Sequence, residues 1–305
     1  MTIQTVLIST DGSDRSNAAA RRGFDLAAAL DASVHVISVA DSSLPTGAGY
    51  GGDSPSIRER LRETATERAT SLGEEATQRG IEATAVTREG IPAKEIVAYS
   101  DDEEIGAIIL GTAGRGGVAR TVIGSVADKV VRTASIPVIT ITPAAIRAER
   151  TGDVNAIVLP TDGSETATAA AFLGVELAVR SNASVHFLSV IDHGRSSALS
   201  RILGTKRTTE ADELRERAVD HLETLASDAR ERGLETHAIV KDGDPAAEIV
   251  QYAASEAIDL IALGTVGRGG FERFLAGSVA TDVIRTAPVP VLTTRSTTGR
   301  ETTTD

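Results

Sequence analysis

Short apolar runs alternate along the chain with longer stretches of helical period, the pattern of strands covered on both faces by the helices that connect them. In the first half the runs place strands near 3–9, 33–39, 81–87, 106–111 and 136–141, with helices near 14–30, 56–79, 92–101 and 125–133. The second half repeats the series, with strands near 155–160, 184–190, 234–240, 258–264 and 289–293. Such alternation predicts βαβ units and a parallel sheet in each half.

The chain is written twice. ISTDGS from Ile8 returns as LPTDGS from Leu159, and REGIPAKEIV from Arg88 returns as KDGDPAAEIV from Lys241. The long segment GTAGRGGVARTVIGSVADKVVRTASIPV from Gly111 returns from Gly264 as GTVGRGGFERFLAGSVATDVIRTAPVPV. A period of half the chain means a duplicated domain and not a solenoid. The boundaries expected are a first domain over 1–145, a linker over 146–153, a second domain over 154–295 and a disordered tail over 296–305. The linker belongs to a polar, alanine-containing stretch from Thr142 to Val154, and the tail has no apolar periodicity.

The chemistry concentrates after the fourth strand of each copy, in the spacing G-x2-G-x9-G-S: Gly111, Gly114, Gly124 and Ser125, then Gly264, Gly267, Gly277 and Ser278. A phosphate needs backbone N–H groups brought close with no Cβ in the way, which glycine allows. The final Gly-Ser opens a helix, whose free N–H groups and dipole favour an anion; the serine hydroxyl can donate to phosphate or cap the helix. Arg115 and Arg268 stand inside these loops and reach either a phosphate or solvent. The second element is the Thr-Asp-Gly-Ser turn after strand 1, carrying Asp11 and Asp162. At the carboxyl edge of strand 1, beside strand 4, an open α/β sheet reverses its strand order and forms a crevice, so aspartate and glycines would face each other. A carboxylate there suits an adenine amine or a ribose hydroxyl, because beside a triphosphate it would repel. The plainer alternative is that TDGS is only a turn and N-cap and that the glycines let helices pack.

These residues resemble the universal stress protein family in its ATP-binding subtype, once per half and over nearly the whole chain. The resemblance implies two tandem Rossmann-like (adenine nucleotide alpha hydrolase-like) α/β domains, each a five-stranded parallel sheet of order 3-2-1-4-5 flanked by helices. It also implies ATP, or ADP or AMP, in the crevice, with Mg²⁺ accompanying the phosphates. By match, Asp11 and Asp162 would contact adenine or ribose, Val39 and Val190 would meet adenine through their backbone, and the glycines and serines would hold phosphates. Pairing through strand 5 is implied as well, which a tandem chain can satisfy as an internal pseudo-dimer, with further homo-oligomers left open.

Composition narrows the remaining classes. A net charge of −12 argues against nucleic acid or an anionic membrane as a general partner, so an anionic ligand must be caught locally. There is no cysteine for disulfides, zinc thiolates or thiol nucleophiles. No apolar run has the length of a membrane span, and the N-terminus lacks a basic flank before an apolar stretch; a cytoplasmic protein is expected. There is no G-x-x-x-x-G-K-[ST] loop, and the turn after strand 1 lacks G-x-G-x-x-G. His35 and His186 occupy matching mid-strand places and read as structural. No base stands out among the motif residues, so the chain reads as a nucleotide-responsive regulatory or protective protein and not a dedicated enzyme. The alternatives are slow ATP hydrolysis, autophosphorylation at Ser125, Ser278 or nearby threonines, and an interaction module with empty pockets. The copies differ after strand 2, where the second carries Arg195, Arg201, Lys206 and Arg207 and the first carries Asp41 and Asp53, so the second site is expected to hold polyphosphate more tightly.

Overall fold

The computed structural model of the chain describes residues 3–42, 55–114, 123–148, 152–192, 207–265 and 277–295. It divides into two compact units, Met1–Asp153 and Val154–Asp305. In unit 1 the elements run β1 (Thr5–Ser9), α1 (Asp14–Ala29), β2 (Ser33–Asp41), α2 (Pro55–Gln78), β3 (Ala83–Gly90), α3 (Pro92–Asp102), β4 (Ala107–Gly111), α4 (Ser125–Thr133), β5 (Val138–Ile141) and α5 (Pro143–Arg147). Unit 2 contains β6 (Ala156–Pro160), α6 (Glu165–Ser181), β7 (Ser184–Ile191), α7 (Arg207–Glu231), β8 (Thr236–Asp242), α8 (Pro245–Ser255), β9 (Leu260–Gly264), α9 (Ser278–Thr286) and β10 (Val291–Thr294).

All strand pairs within each unit are parallel, in the order β3-β2-β1-β4-β5 for unit 1. Unit 2 has the order β8-β7-β6-β9-β10. Chain direction explains where a site can form. From β1 the chain moves outward to β2 and β3, then crosses back to β4 on the other side of β1, which opens a crevice at the carboxyl ends of β1 and β4. The central strands are covered on both faces, and their continuous apolar runs follow from that: Val6, Leu7, Ile8, Ile108 and Ile109 have no exposed surface. The peripheral β3 has no fully buried position; its residues are half-buried or exposed.

Helices α1 and α6 start where side chains can satisfy their first N–H groups. Ser13 caps α1 by accepting from Ser16 N, and Ser164 caps α6 by accepting from Ala167 N. On the outer surface, Arg21 bonds the Glu75 carboxylate at 2.9 and 3.1 Å, and Arg79 reaches both Glu75 at 2.7 Å and Asp25 at 3.4 Å. The Arg21 hydrogen bond is the main reason that the Glu75 carboxyl titrates below the ordinary range. Each such exposed pair contributes only about 0.2–1 kcal/mol, but together they fix which face α2 turns toward α1. Arg232 and Glu176 make the matching tie in unit 2.

The two mid-strand histidines fasten strand to helix. His35 Nδ1 lies 2.8 Å from the Tyr99 hydroxyl on α3, and His186 Nδ1 lies 2.8 Å from the Tyr252 hydroxyl on α8. Burial depresses the basicity of His186, and the neighbouring His237 adds to that; burial also pushes the Tyr252 phenol up to about 12. Both members of this pair are therefore neutral near pH 7, as a buried hydrogen-bonded pair should be.

Three details depart from the sequence pattern. The stretch from Thr142, expected to be linker, opens on α5, whose N-cap Thr142 accepts from Ala145 N at 2.9 Å with Pro143 in the first turn. Strand β2 continues to Asp41 and β3 to Gly90, paired through Val39↔Arg88, Ala40↔Glu89 and Asp41↔Gly90. Polar residues sit in this extension because it lies on the half-exposed side of the sheet. The residues expected to form a disordered tail lie outside the described residues, as do Arg195, Arg201 and Lys206 of the basic segment, Asp53 of its counterpart and the side chain of Arg207. Among the described residues no helix is long and apolar enough to cross a membrane.

Candidate functional site

The turn after β1 is built by its own side chains. Asp11 Oδ1 accepts from Ser13 N at 2.9 Å and from the Ser13 hydroxyl at 2.6 Å, Gly12 N donates to Thr10 Oγ1 at 3.0 Å, and Asp11 N donates to Ser16 Oγ at 3.1 Å. Gly12 has φ of +80°, the left-handed region that glycine enters without strain. Unit 2 repeats the turn with Ser164 N on Asp162 Oδ1 at 3.0 Å, Gly163 N on Thr161 Oγ1 at 3.1 Å and Gly163 at φ +74°. The aspartate is thus a turn former, as the plainer reading held. It also faces the loop after β4: a Cβ added to Gly114 would stand 2.6 Å from Asp11 Oδ2.

The glycines of the G-x2-G-x9-G-S spacing separate into different roles. At Gly111 an added Cβ would meet Ala19 Cβ of α1 at 3.1 Å, and at Gly264 it would meet the backbone of Thr166 at 2.7 Å. Their missing side chains let α1 and α6 approach the sheet. Gly124 and Gly277 are instead the N-caps of α4 and α9, and neither helix has a side-chain cap. Ser125 and Ser278, expected to donate to phosphate or to cap, are the first helical residues and do not cap; both are exposed. Among the described residues no side chain caps the first N–H groups of either helix, and the positive end of the helix dipole lies behind them. Gly124 N is anchored on Thr112 O at 2.8 Å and Thr112 N on Ile141 O at 2.9 Å, so the helix start is tied to the ends of β4 and β5. Arg115, Gly267 and Arg268 lie outside the described residues.

In unit 2 these parts surround a cavity of about 640 Å³ at the carboxyl edge of the sheet. One wall is the turn with Thr161, Asp162 and Ser164; a second is the end of β7 with Val190 and Asp192; the floor is Gly264 and Thr265 with Gly277 and Ser278. Val39 holds the place of Val190 in unit 1, within the β2–β3 ladder and half-buried. The volume is that of a small-molecule site. Among the described residues no group of three His, Cys, Asp or Glu side chains could form a metal cage.

The sequence reading missed a third wall. Leu214, Arg217, Ala218 and His221 of α7 line the cavity, and His221 Nε2 lies 3.5 Å from Thr161 Oγ1. In unit 1 Arg68 of α2 takes the matching position: a Cβ on Gly12 would fall 2.5 Å from Arg68 Cδ and Nε. Arg68 and His221 stand at the same distance ahead of Gly80 and Gly233, the glycines that follow α2 and α7. Aligning the two copies on those glycines was the available signal.

Strand order, helix placement and the crevice between β1 and β4 define a Rossmann-like fold of the adenine nucleotide alpha hydrolase type, present twice in one chain. The universal stress protein family model matches residues 2–142 and again 154–295, and the chain belongs to that family. It is 35% identical to a universal stress protein of Methanocaldococcus jannaschii over 136 residues, 45% of this chain and 80% of the relative. A universal stress protein of Mycobacterium tuberculosis is 32% identical over 211 residues, 67% of this chain and 66% of the relative. The crystal structure of a universal stress protein from Archaeoglobus fulgidus superposes with a TM-score of 0.71 at 19% identity, covering 96% of this chain and 97% of the other, a likeness of fold.

Proposed function

We propose that each unit binds an adenine nucleotide, ATP or its ADP and AMP relatives, and that the chain acts in the cytoplasm as a stress-response or regulatory protein whose conformation or assembly follows nucleotide occupancy. The observation that carries this reading is the uncapped start of α9, where Gly277 and Ser278 line the same cavity as Asp162 and Val190. Open N–H groups suit phosphate, and a carboxylate at the other side suits the nucleoside. Mg²⁺ would enter with the phosphates, since beside a nucleotide this ion is usually held by one or two carboxylates together with the phosphates themselves. Denaturing the purified chain and identifying what is released is the direct test. Adenine nucleotide approaching one per unit is expected; an empty protein that also shows no heat of ATP binding would overturn the reading, and ADP formed from added ATP would move it toward an enzyme.

The reading includes pairing of the two halves through β5 and β10, which family resemblance implies and the apolar sequences VITI and VLTT favour. Unit 1 expressed alone, ending at Ala148, should then find a second copy of itself. Light scattering at micromolar concentration is expected to give a homodimer, and a folded monomer would refute the pairing.

A further inference from the structure

We propose that the side chain standing over the turn after the first strand sets the order in which the two sites fill: Arg68 occupies the space in front of the Asp11–Gly12 turn in unit 1, whereas His221 leaves the matching space in unit 2 open, so nucleotide enters unit 2 first and enters unit 1 by displacing Arg68. The inference rests on the nucleotide-binding reading above and concerns the nucleoside end of the same site.

Ala65 and Arg68 of α2 match Ala218 and His221 of α7, counted back from Gly80 and Gly233, and three residues apart they share one face of the helix. In unit 2 Ala218 and His221 stand on the wall of the cavity, with Gly163 beside them on the same lining. The imidazole stops at Thr161, with Nε2 at 3.5 Å from Oγ1. In unit 1 the longer arginine crosses the turn. A Cβ on Gly12 would stand 2.5 Å from Arg68 Cδ and Nε and 3.0 Å from Cγ, so the arginine stem fills the space into which a side chain at Gly12 would project. The burial of the surroundings follows the same difference: Asp11 is half-buried where Asp162 is exposed, and Ala65 has no exposed surface where Ala218 is half-buried.

The aspartate turn is the nucleoside end of the site in the reading above, so bulk in front of it competes with base or ribose and leaves the phosphate end untouched. Nucleotide entering unit 1 must first give up the packing of the Arg68 stem over the turn, which lowers the affinity of that site by about tenfold. The charge of Arg68 works in the other direction, because a guanidinium stays protonated and attracts a polyphosphate from any position in the crevice. Bulk and charge therefore predict opposite results when the side chain is removed.

Full-length Gly277→Val leaves site 1 to be measured and Gly124→Val leaves site 2. ATP and AMP are titrated calorimetrically into each, and into Gly277→Val chains that also carry Arg68→Ala or Arg68→His. Site 1 is expected to be about tenfold weaker than site 2, with both filling at saturation. Either Arg68 substitution should tighten site 1 by about tenfold, by the same factor for AMP as for ATP because the two share the nucleoside. His221→Arg in the Gly124→Val chain should weaken site 2. Binding at site 1 that is unchanged or weaker in both Arg68 variants overturns the proposal, as does a gain seen with ATP and not with AMP, and nucleotide binding itself then still stands. If the unmodified chain binds no ATP at either site, the reading beneath the proposal falls instead.

Discussion

The full-length chain carrying both Gly124→Val and Gly277→Val is expected to lose ATP binding by at least about a hundredfold while keeping the stability of the parent to within about 1 kcal/mol. The backbone at both positions is already suited to valine, with φ and ψ of −61° and 147° at Gly124 and −56° and 154° at Gly277, the extended region that β-branched residues prefer. At Gly124 a new Cβ would meet Thr112 O at 3.3 Å, a contact that yields with a shift of a few tenths of an ångström; among the described residues Thr112 is its sole close neighbour. The γ-carbons would thus stand in front of the first N–H groups of α4, where an anion must come. Calorimetry with ATP decides the binding, and urea denaturation checks the fold. Binding equal to the parent's would mean that these glycines serve the backbone alone, and the proposed function would fall.

Gly264→Val should do the reverse damage. Its Cβ would sit 2.7 Å from Thr166 C and O and 2.9 Å from Ala167 N, all backbone atoms at the start of α6. A helix backbone cannot turn aside as a side chain can, so β9 and α6 must separate, at a cost of about 3 kcal/mol. Gly111→Val is expected to be milder, because its nearest neighbour is the Ala19 methyl at 3.1 Å. With two units the unfolding need not be two-state, so the readout is amide exchange in β6 and β9, which should accelerate in Gly264→Val. Protection equal to the parent's would show that the strand and helix adjust freely and that Gly264 is no packing residue.

These two glycines show how far sequence alone carries. The repeat, the alternation of strand and helix and the glycine spacing were all legible, since each depends on local pattern. What the spacing could not say is what fills the place of each missing Cβ. Gly264 answers to a helix from the start of its own unit, Gly124 among the described residues to Thr112 O alone, and only the packed fold separates them. Strand order likewise came through resemblance, because the period of an apolar run carries no information about its neighbour. The third wall was illegible for another reason. Helices α2 and α7 are rich in arginine and glutamate on most faces, so which cation faces the crevice is set by their rotation against α1 and α6. Ties such as Arg79–Asp25 and Arg232–Glu176 fix that rotation, and they join residues far apart in sequence. The short helix α5 escaped because a single turn has no periodicity to detect; its signal was the Thr-Pro cap.

Arg68 and His221 occupy one position of the fold in two copies of it. An assembly of identical subunits writes every copy of a position with the same codon, so a substitution that tunes one site retunes all of them. A chain that carries its second half by covalent linkage escapes that constraint: one half can keep a fixed residue and serve as a reference while the other drifts toward a variable one. Duplication in tandem thus supplies a pair of sites that a symmetric dimer cannot encode, with their stoichiometry held at one to one by the peptide bond.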